Sequence, residues 1–338
     1  MKQKATLKEI AEMNHTSVST VYNALHSSRS IDPDLKARIL DTAQMLNYFC
    51  QTKKSEISLL KCRIAAIIPS NPIYFWSEAR KGIQEAINNK DICLKMFVYT
   101  NIDTDNDFLF SLEQAKEMHP DAYIIVPPCS ESSKRAISNL SKPVVFLNEY
   151  LNVETGSSTG FIGADAYSDG QLFAIACGDF LRKYPRILIV HGDKNNYMVQ
   201  KRKQGFCDYL PADSAVVGEI RQESSPVMAA KMAQRIKKEY VYKENILKFD
   251  CIFVATGLVP QVCLTLKKLN FNVPCIGCEK PRTNSQYIRE GFIYGELVQS
   301  IREQGDQSVS YALRMINEEE TKNKSITIPS NIYIYEKK

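Results

Sequence analysis

The chain has 338 residues, 44% of them hydrophobic, enough for a small domain plus a larger one of two lobes and too apolar for wholesale disorder. Its longest apolar runs, such as Ile64–Ile68, are far too short to cross a bilayer, and the start MKQKATLKEI holds no apolar stretch of the signal-peptide kind, so no membrane partner and a cytoplasmic location are expected. The net charge of +5 is mild but uneven: residues 1–61 hold nine Lys/Arg and six Asp/Glu, a surplus of +3, which suits a segment facing DNA.

The first fifty residues read as three short helices. Thr6 with Glu9 three residues on forms a capping box, and Leu7, Ile10, Ala11 and Met13 follow at helical spacing. Ser17 caps a second helix whose apolar side is Val18, Val21 and Leu25, leaving Ser19, Thr20, Tyr22, Asn23 and His26 off that spacing. Asp32 before Pro33 starts a third, with Leu35, Ile39, Leu40, Ala43 and Leu46 as its stripe. Periodicity alone fits either a helix-turn-helix or an ordinary three-helix cap.

The residues themselves go further. Thr6 to Leu25, TLKEIAEMNHTSVSTVYNAL, resembles without a gap the DNA-binding signature of the lactose-repressor/galactose-repressor (LacI/GalR) family, and the likeness continues through Arg38 and Ala43 to Leu46-Asn47-Tyr48. It departs at Asn14, His15 and Thr16, where the family has Ala-Gly-Val; His15 takes the place of the turn glycine and tolerates positive φ better than branched residues do. Tyr22 and Asn23 replace the usual Ser-Arg. By position the resemblance implies that Val18, Ser19 and Asn23 face bases, with Asn23 suited to adenine and Val18 to a thymine methyl. Thr6, Ser17, Thr20 and Tyr22 fall among the positions that meet DNA, Thr6, Thr20 and Tyr22 where the family contacts phosphates.

Residues 50–62 stand where the family has a hinge that wedges a leucine into the minor groove; Ile57 falls at the wedge, and Lys53 and Lys54 near phosphates. The family's Pro-Asn is replaced by Cys50-Gln51, so a flexible basic tether is an equal reading.

From Arg63 onward short apolar runs alternate with amphipathic helical patterns. Strands are predicted at 63–69, 93–99, 121–126, 143–147, 161–164, 186–191, 214–220, 251–255 and 274–278, with helices such as 76–89, 105–118, 169–183, 225–239 and 257–269 between them. This rhythm predicts parallel sheets in two doubly wound lobes, with ligand at the carboxyl ends of strands. The stretch resembles the type I periplasmic-binding-protein fold that the repressor family uses as a sensor, most clearly at IPSNPIY (68–74), FIGAD (161–165), RKQGF (202–206), FVA (253–255) and QSIREQG (299–305). The expected organisation is a helix-turn-helix domain at 1–49, a hinge at 50–62, and a ligand-binding and dimerisation domain at 63–338 with lobe crossings near 165, 292 and 325.

The resemblance nominates an interlobe site. Arg202 matches the ligand-binding arginine, a planar donor fork suited to carboxylate, phosphate or vicinal hydroxyls. Glu279 and Asn148 replace aspartates, Thr256 replaces Asn or Asp, and Gln299 matches a polar contact of sugar-binding relatives. Asn71, Tyr74, Phe75 and Trp76 cluster after the first strand. Trp76, the sole tryptophan, fits either stacking on a sugar or base, or core packing above Ala79, Ile83 and Ile87.

Other chemistries find little support. The GSSTG run at 156–160 matches a nucleophile elbow around Ser158 but precedes a strand, the wrong order for a hydrolase. Cys275 and Cys278 form a C-x-x-C with no second pair, the ten cysteines show no framework spacing, and the four histidines form no metal motif. The expectation is therefore a non-enzymatic regulator without metal or cofactor, most often a repressor in this family. It would be a homodimer on near-palindromic double-stranded operator DNA, with a sugar, sugar acid or sugar phosphate as effector and a purine less favoured. A solute-binding protein without DNA function is the alternative.

Overall fold

The computed structural model describes residues 6–26, 31–45, 62–88, 92–100, 105–192, 196–221, 228–242, 246–319 and 324–335. The chain divides into two compact units: Met1–Ile162 with Ile301–Ser325, and Gly163–Ser300 with Ile326–Lys338.

Three helices open unit 1: α1 (Leu7–Met13), α2 (Val18–His26) and α3 (Pro33–Met45). Thr6 caps α1 by accepting from Glu9 N–H while its own N–H donates to the Glu9 carboxylate at 2.8 Å, the capping box foreseen from sequence. Ser17 Oγ accepts from Thr20 N–H at the start of α2, and Asp32 from Leu35 N–H at the start of α3. His15 lies at φ 50°, the conformation its glycine-like place demands. The core of the three helices is Ile10, Ala11, Val21, Ala24, Ile39 and Ala43. Of the expected stripes, Leu7, Leu25 and Leu35 are half-buried against this core, Met13 and Val18 are exposed, and Ala24, not expected there, belongs to it. Asn14 is buried and ties α1 to α3 by donating to Ile10 O and to Thr42 Oγ1. The proposed hinge residues Lys53, Lys54 and Ile57 lie outside the described residues.

The rest of unit 1 follows a βα rhythm: β1 (Cys62–Pro69), α4 (Ile73–Ala86), β2 (Ile92–Tyr99), α5 (Asp105–Lys116), β3 (Ala122–Ile125), α6 (Glu131–Ser138), β4 (Val144–Leu147) and β5 (Thr159–Gly163). Strands β1, β3 and β4 are apolar and buried almost throughout, as strands covered on both faces must be, while the edge strand β2 is only half-buried at Lys95 and three other positions. β1 lies parallel between β2 and β3, with Ile64 opposite Leu94 and Ala122.

Unit 2 repeats the pattern: α7 (Ala166–Ala176), α8 (Gly178–Lys183), β6 (Arg186–His191), α9 (Tyr197–Asp208), β7 (Ala215–Arg221), α10 (Met228–Tyr240), β8 (Cys251–Val254), α11 (Val259–Lys268), β9 (Cys275–Cys278), α12 (Asn284–Arg289) and β10 (Ile293–Val298). Then α13 (Ile301–Ile316), β11 (Lys324–Thr327) and β12 (Asn331–Ile334) complete the chain. The sheet orders are β2-β1-β3-β4-β5-β11 and β7-β6-β8-β9-β10-β12, one topology used twice. In unit 2 Leu188 and Val190 face the α10–α11 side while Ile187 and Ile189 face the α7–α9 side, the period of two made visible.

Residue 292 immediately precedes β10, which stays in unit 2 beside β9, and the chain changes unit at Ser300/Ile301; the other changes fall at 162/163 and 325/326. The single helix predicted at 169–183 is two, broken at Cys177 before Gly178. Cys275 and Cys278 sit buried within β9, where burial pushes the Cys278 thiol up to about 12, so this C-x-x-C is core and not a reactive helix-end pair.

Each unit also has one close helix crossing. A Cβ on Gly82 of α4 would stand 1.9 Å from Arg302 O of α13, and one on Gly205 of α9 would stand 2.0 Å from Tyr167 O of α7. Glycine is required there because the neighbouring backbone fills the space of any side chain.

Candidate functional site

In parallel α/β sheets the strand carboxyl ends carry the binding residues, because loops there are free of the packing that fixes the layer below. In unit 2 these ends hold Thr256 after β8, Glu279 after β9 and Gln299 after β10. Arg202 comes from α9 and reaches the same edge, its Nη1 donating to Ala255 O at 3.2 Å. Gln299 Nε2 donates to Glu279 Oε1 at 2.8 Å. Ser330 Oγ donates to Asp169 Oδ2 of α7 at 2.7 Å.

The charges of this cluster are coupled. Burial drives the Glu279 carboxyl up to about 7, against the Gln299 hydrogen bond and the Arg202 charge, which pull it down. Burial likewise raises Asp169, opposed by the Ser330 bond and Arg202. One guanidinium thus sits within the field of two buried carboxyls. The Thr256 hydroxyl is buried and meets no partner among the described residues.

In unit 1 the corresponding edge carries Ser70 and Asn71 after β1 and Asn148 after β4. Asn148 is buried and donates from Nδ2 to Gln304 Oε1 of α13 at 2.9 Å. Of the aromatic group, Phe75 and Trp76 are buried edge-to-face, ring centroids 4.9 Å apart, and Tyr74 is half-buried. Asn71 is exposed. The Trp76 indole N–H and the Ser70 hydroxyl are buried without a partner among the described residues. A buried donor without acceptor costs about 1–3 kcal/mol. Arg80 of α4 donates to Pro69 O at 3.1 Å and pairs at 3.5 Å with Asp41 of α3.

Sequence reading names Arg202, Thr256, Glu279 and Gln299 in one unit, and Asn71, Tyr74, Phe75, Trp76 and Asn148 in the other. It misses Ser70, Gln304, Asp169 and Ser330. Ser70 and Gln304 lie inside the IPSNPIY and QSIREQG runs, so a sequence signal exists for them; Asp169 and Ser330 lie in no motif, and a hydrogen-bonding partner on a distant helix or tail leaves no local pattern.

On the N-terminal helices Thr6, Ser17, Val18, Ser19 and Tyr22 are exposed, while Thr20 and Asn23 are half-buried. Ser17 Oγ lies 2.8 Å from both Ser19 Oγ and Thr20 Oγ1.

Ser158 directly precedes β5, not a helix, and its carbonyl accepts from Val144 N–H. Among the described residues no group of His, Cys, Asp or Glu is arranged to hold a metal, and no helix is long and apolar enough to cross a membrane.

Two open α/β sheets of one topology, with polar side chains gathered at their strand ends, define a periplasmic-binding-protein-like fold. The chain belongs to the periplasmic binding protein domain family, whose model matches residues 64–320. No curated protein matches the chain at sequence level. Among solved structures, the glucose-galactose binding protein GanP of Geobacillus stearothermophilus is similar at TM-score 0.68 and 17% identity, over 81% of this chain and 97% of that one. A solute binding protein of Actinobacillus succinogenes with bound D-allose is similar at 0.69 and 18%, over 81% and 98%. A Bacteroides fragilis protein assigned as a LacI transcriptional regulator is similar at 0.67 and 15%, over 81% and 97%. At these identities the likeness is one of fold.

Proposed function

We propose that this protein is a ligand-responsive, DNA-binding transcription regulator of the LacI/GalR type, most simply a repressor, acting as a homodimer on near-palindromic operator DNA. The observation that carries the reading is the N-terminal segment. Its capping box and its exposed Ser17, Val18 and Ser19 on and before α2 fall at positions of the helix-turn-helix signature, and His15, in the turn glycine's place, has the left-handed conformation that place requires. In this reading Asn23 and Val18 read bases, Thr6, Thr20 and Tyr22 hold phosphates, and Lys53, Lys54 and Ile57 belong to the hinge.

The effector is a sugar. Arg202 already faces the carboxyls of Glu279 and Asp169, so the unit 2 cluster suits a neutral polyol, whose hydroxyls both give and accept, better than a sugar acid or sugar phosphate. Thr256 and Gln299 join it there; Asn71, Tyr74, Phe75, Trp76 and Asn148 are the candidates at the strand ends of unit 1. Binding shifts DNA affinity only as far as the sugar favours one of two states of the protein.

The test pairs gel shifts on DNA flanking the protein's own coding region, against shuffled DNA, with a thermal-shift panel of aldoses, sugar acids and sugar phosphates. A neutral sugar at a hundred times its Kd adds about 2.7 kcal/mol to stability. A second reading, a sugar-binding protein without DNA function, draws on the sugar-binding proteins among its structural neighbours; it expects the sugar shift and no preference for any DNA.

A further inference from the structure

A pocket lies at the edge of the unit 1 sheet where β1, β3 and β4 begin, away from their carboxyl ends. Its volume is about 380 Å³, the size of a small-ligand site. The floor is Tyr123, Pro120 and Leu140, all buried. The rim is basic: Arg63, Lys116, His119 and Lys142 stand around it, against the single carboxylate of Asp121.

That carboxylate is largely occupied. Asp121 Oδ2 accepts from the Arg63 backbone N–H at 2.8 Å and lies 3.9 Å from Arg63 Nε. Arg63 Nη1 donates to Met118 O at 3.2 Å, which fixes the guanidinium at the rim. Lys116 pairs with Glu113, which lies outside the pocket lining. Among the described residues no carboxylate stands within ion-pair distance of Lys142 or His119. The pocket therefore has a surplus of positive charge above an apolar floor.

The frame is rigid. Asp121 N–H donates to Arg63 O and Tyr123 N–H to Pro143 O, both at 2.8 Å, so the strand starts bearing Arg63, Asp121 and Lys142 are laced together. Nothing in the sugar-binding reading uses this edge, since Ser70 and Asn148 lie at the other end of the same strands.

We infer that this pocket is a binding site for a phosphate group, with Arg63, Lys116, His119 and Lys142 as its donors and Tyr123 and Leu140 under the attached body. Two sources carry that chemistry. One is a small phosphorylated metabolite, for which the apolar floor is fitted. The other is the backbone of bound DNA, because β1 (Cys62–Pro69), whose start bears Arg63, is the first strand after the N-terminal helices of the same unit. The first source does not depend on the regulator reading; the second does.

The experiment uses the full chain and the double variant Lys116→Gln/Lys142→Gln, with circular dichroism to verify folding. Pyrophosphate is the probe, titrated calorimetrically at low ionic strength, and Arg202→Ala controls for the strand-end cluster of unit 2. The expected result is binding that weakens at least tenfold in the double variant and stays unchanged in Arg202→Ala, which identifies the free phosphorylated ligand. If pyrophosphate does not bind but the double variant lowers the salt slope of DNA binding by about two, the DNA backbone is the source and the site stands. Pyrophosphate binding equal in both proteins overturns the site. So does no pyrophosphate binding together with an unchanged DNA salt slope or no DNA binding at all.

Discussion

Asn148 and Glu279 are counterparts. Each follows the fourth strand of its unit, each has positive φ (63° and 70°), and each gives its N–H to the neighbouring fifth strand at 2.8 Å, to Ile162 O and Leu297 O respectively. Each side chain is backed by a glutamine, Gln304 for Asn148 and Gln299 for Glu279. Non-glycine residues in this conformation cost about 1–3 kcal/mol and persist where the surroundings fix them, commonly at binding sites. Two copies of one strained turn mark the same position in each unit.

Glu279 makes stability depend on pH. Its carboxyl is raised from the usual 4.5 to about 7, so between these values the folded chain holds a proton that the unfolded chain has lost. Its contribution is full below pH 4.5 and falls as pH rises through 7. Glu279→Gln should stay folded like the wild type near pH 4.5 and gain up to about 3 kcal/mol relative to it at pH 8, read by urea denaturation at both pH values. Asp169, raised in the same direction, adds to the wild-type loss and remains in the variant.

The helix crossings should not tolerate a methyl group. Gly82→Ala and Gly205→Ala each force backbone apart at about 2 Å, and each should destabilise by about 1–3 kcal/mol or more. Gly178→Ala, whose nearest neighbour is an Arg182 side-chain nitrogen at 3.5 Å, is the control and should cost far less in thermal melts.

A buried carboxylate also anchors the last strand. Glu296 of β10 is fully buried and accepts from Asn284 Nδ2 and from Tyr335 Oη, both at 2.5 Å. Tyr335→Phe removes one donor and should cost about 1–3 kcal/mol, with hydrogen exchange rising first in β12.

The sequence makes β1 to β9 legible through unbroken apolar runs set between amphipathic helices. It hides β10, whose Gly295 and buried Glu296 break the apolar run, and the short, largely exposed β11 and β12, which have no two-sided core to impose a pattern. In the N-terminal helices the caps are plain because Thr6, Ser17 and Asp32 act on neighbours in sequence, whereas the burial of Asn14 depends on Thr42, 28 residues away. The strand-end residues are legible by family likeness alone. Their partners Gln304 and Ser330 lie 156 and 161 residues from the groups they bond, and only the fold joins them.

Thr6→Ala should remove the capping box, cost about 1 kcal/mol in the stability of the N-terminal helices, and weaken DNA binding. Asn23→Ala should lose about 1–3 kcal/mol of discrimination against the wrong base.

The regulator reading is tested most directly by fluorescence anisotropy of the full chain on DNA from its own upstream region, against shuffled DNA at the same salt. The account predicts affinity for one near-palindromic segment at least about 10³-fold above the shuffled control, reduced in Asn23→Ala and altered by a neutral sugar. Equal affinity for both DNAs, with sugar binding intact, would contradict it and leave a sugar-binding protein alone.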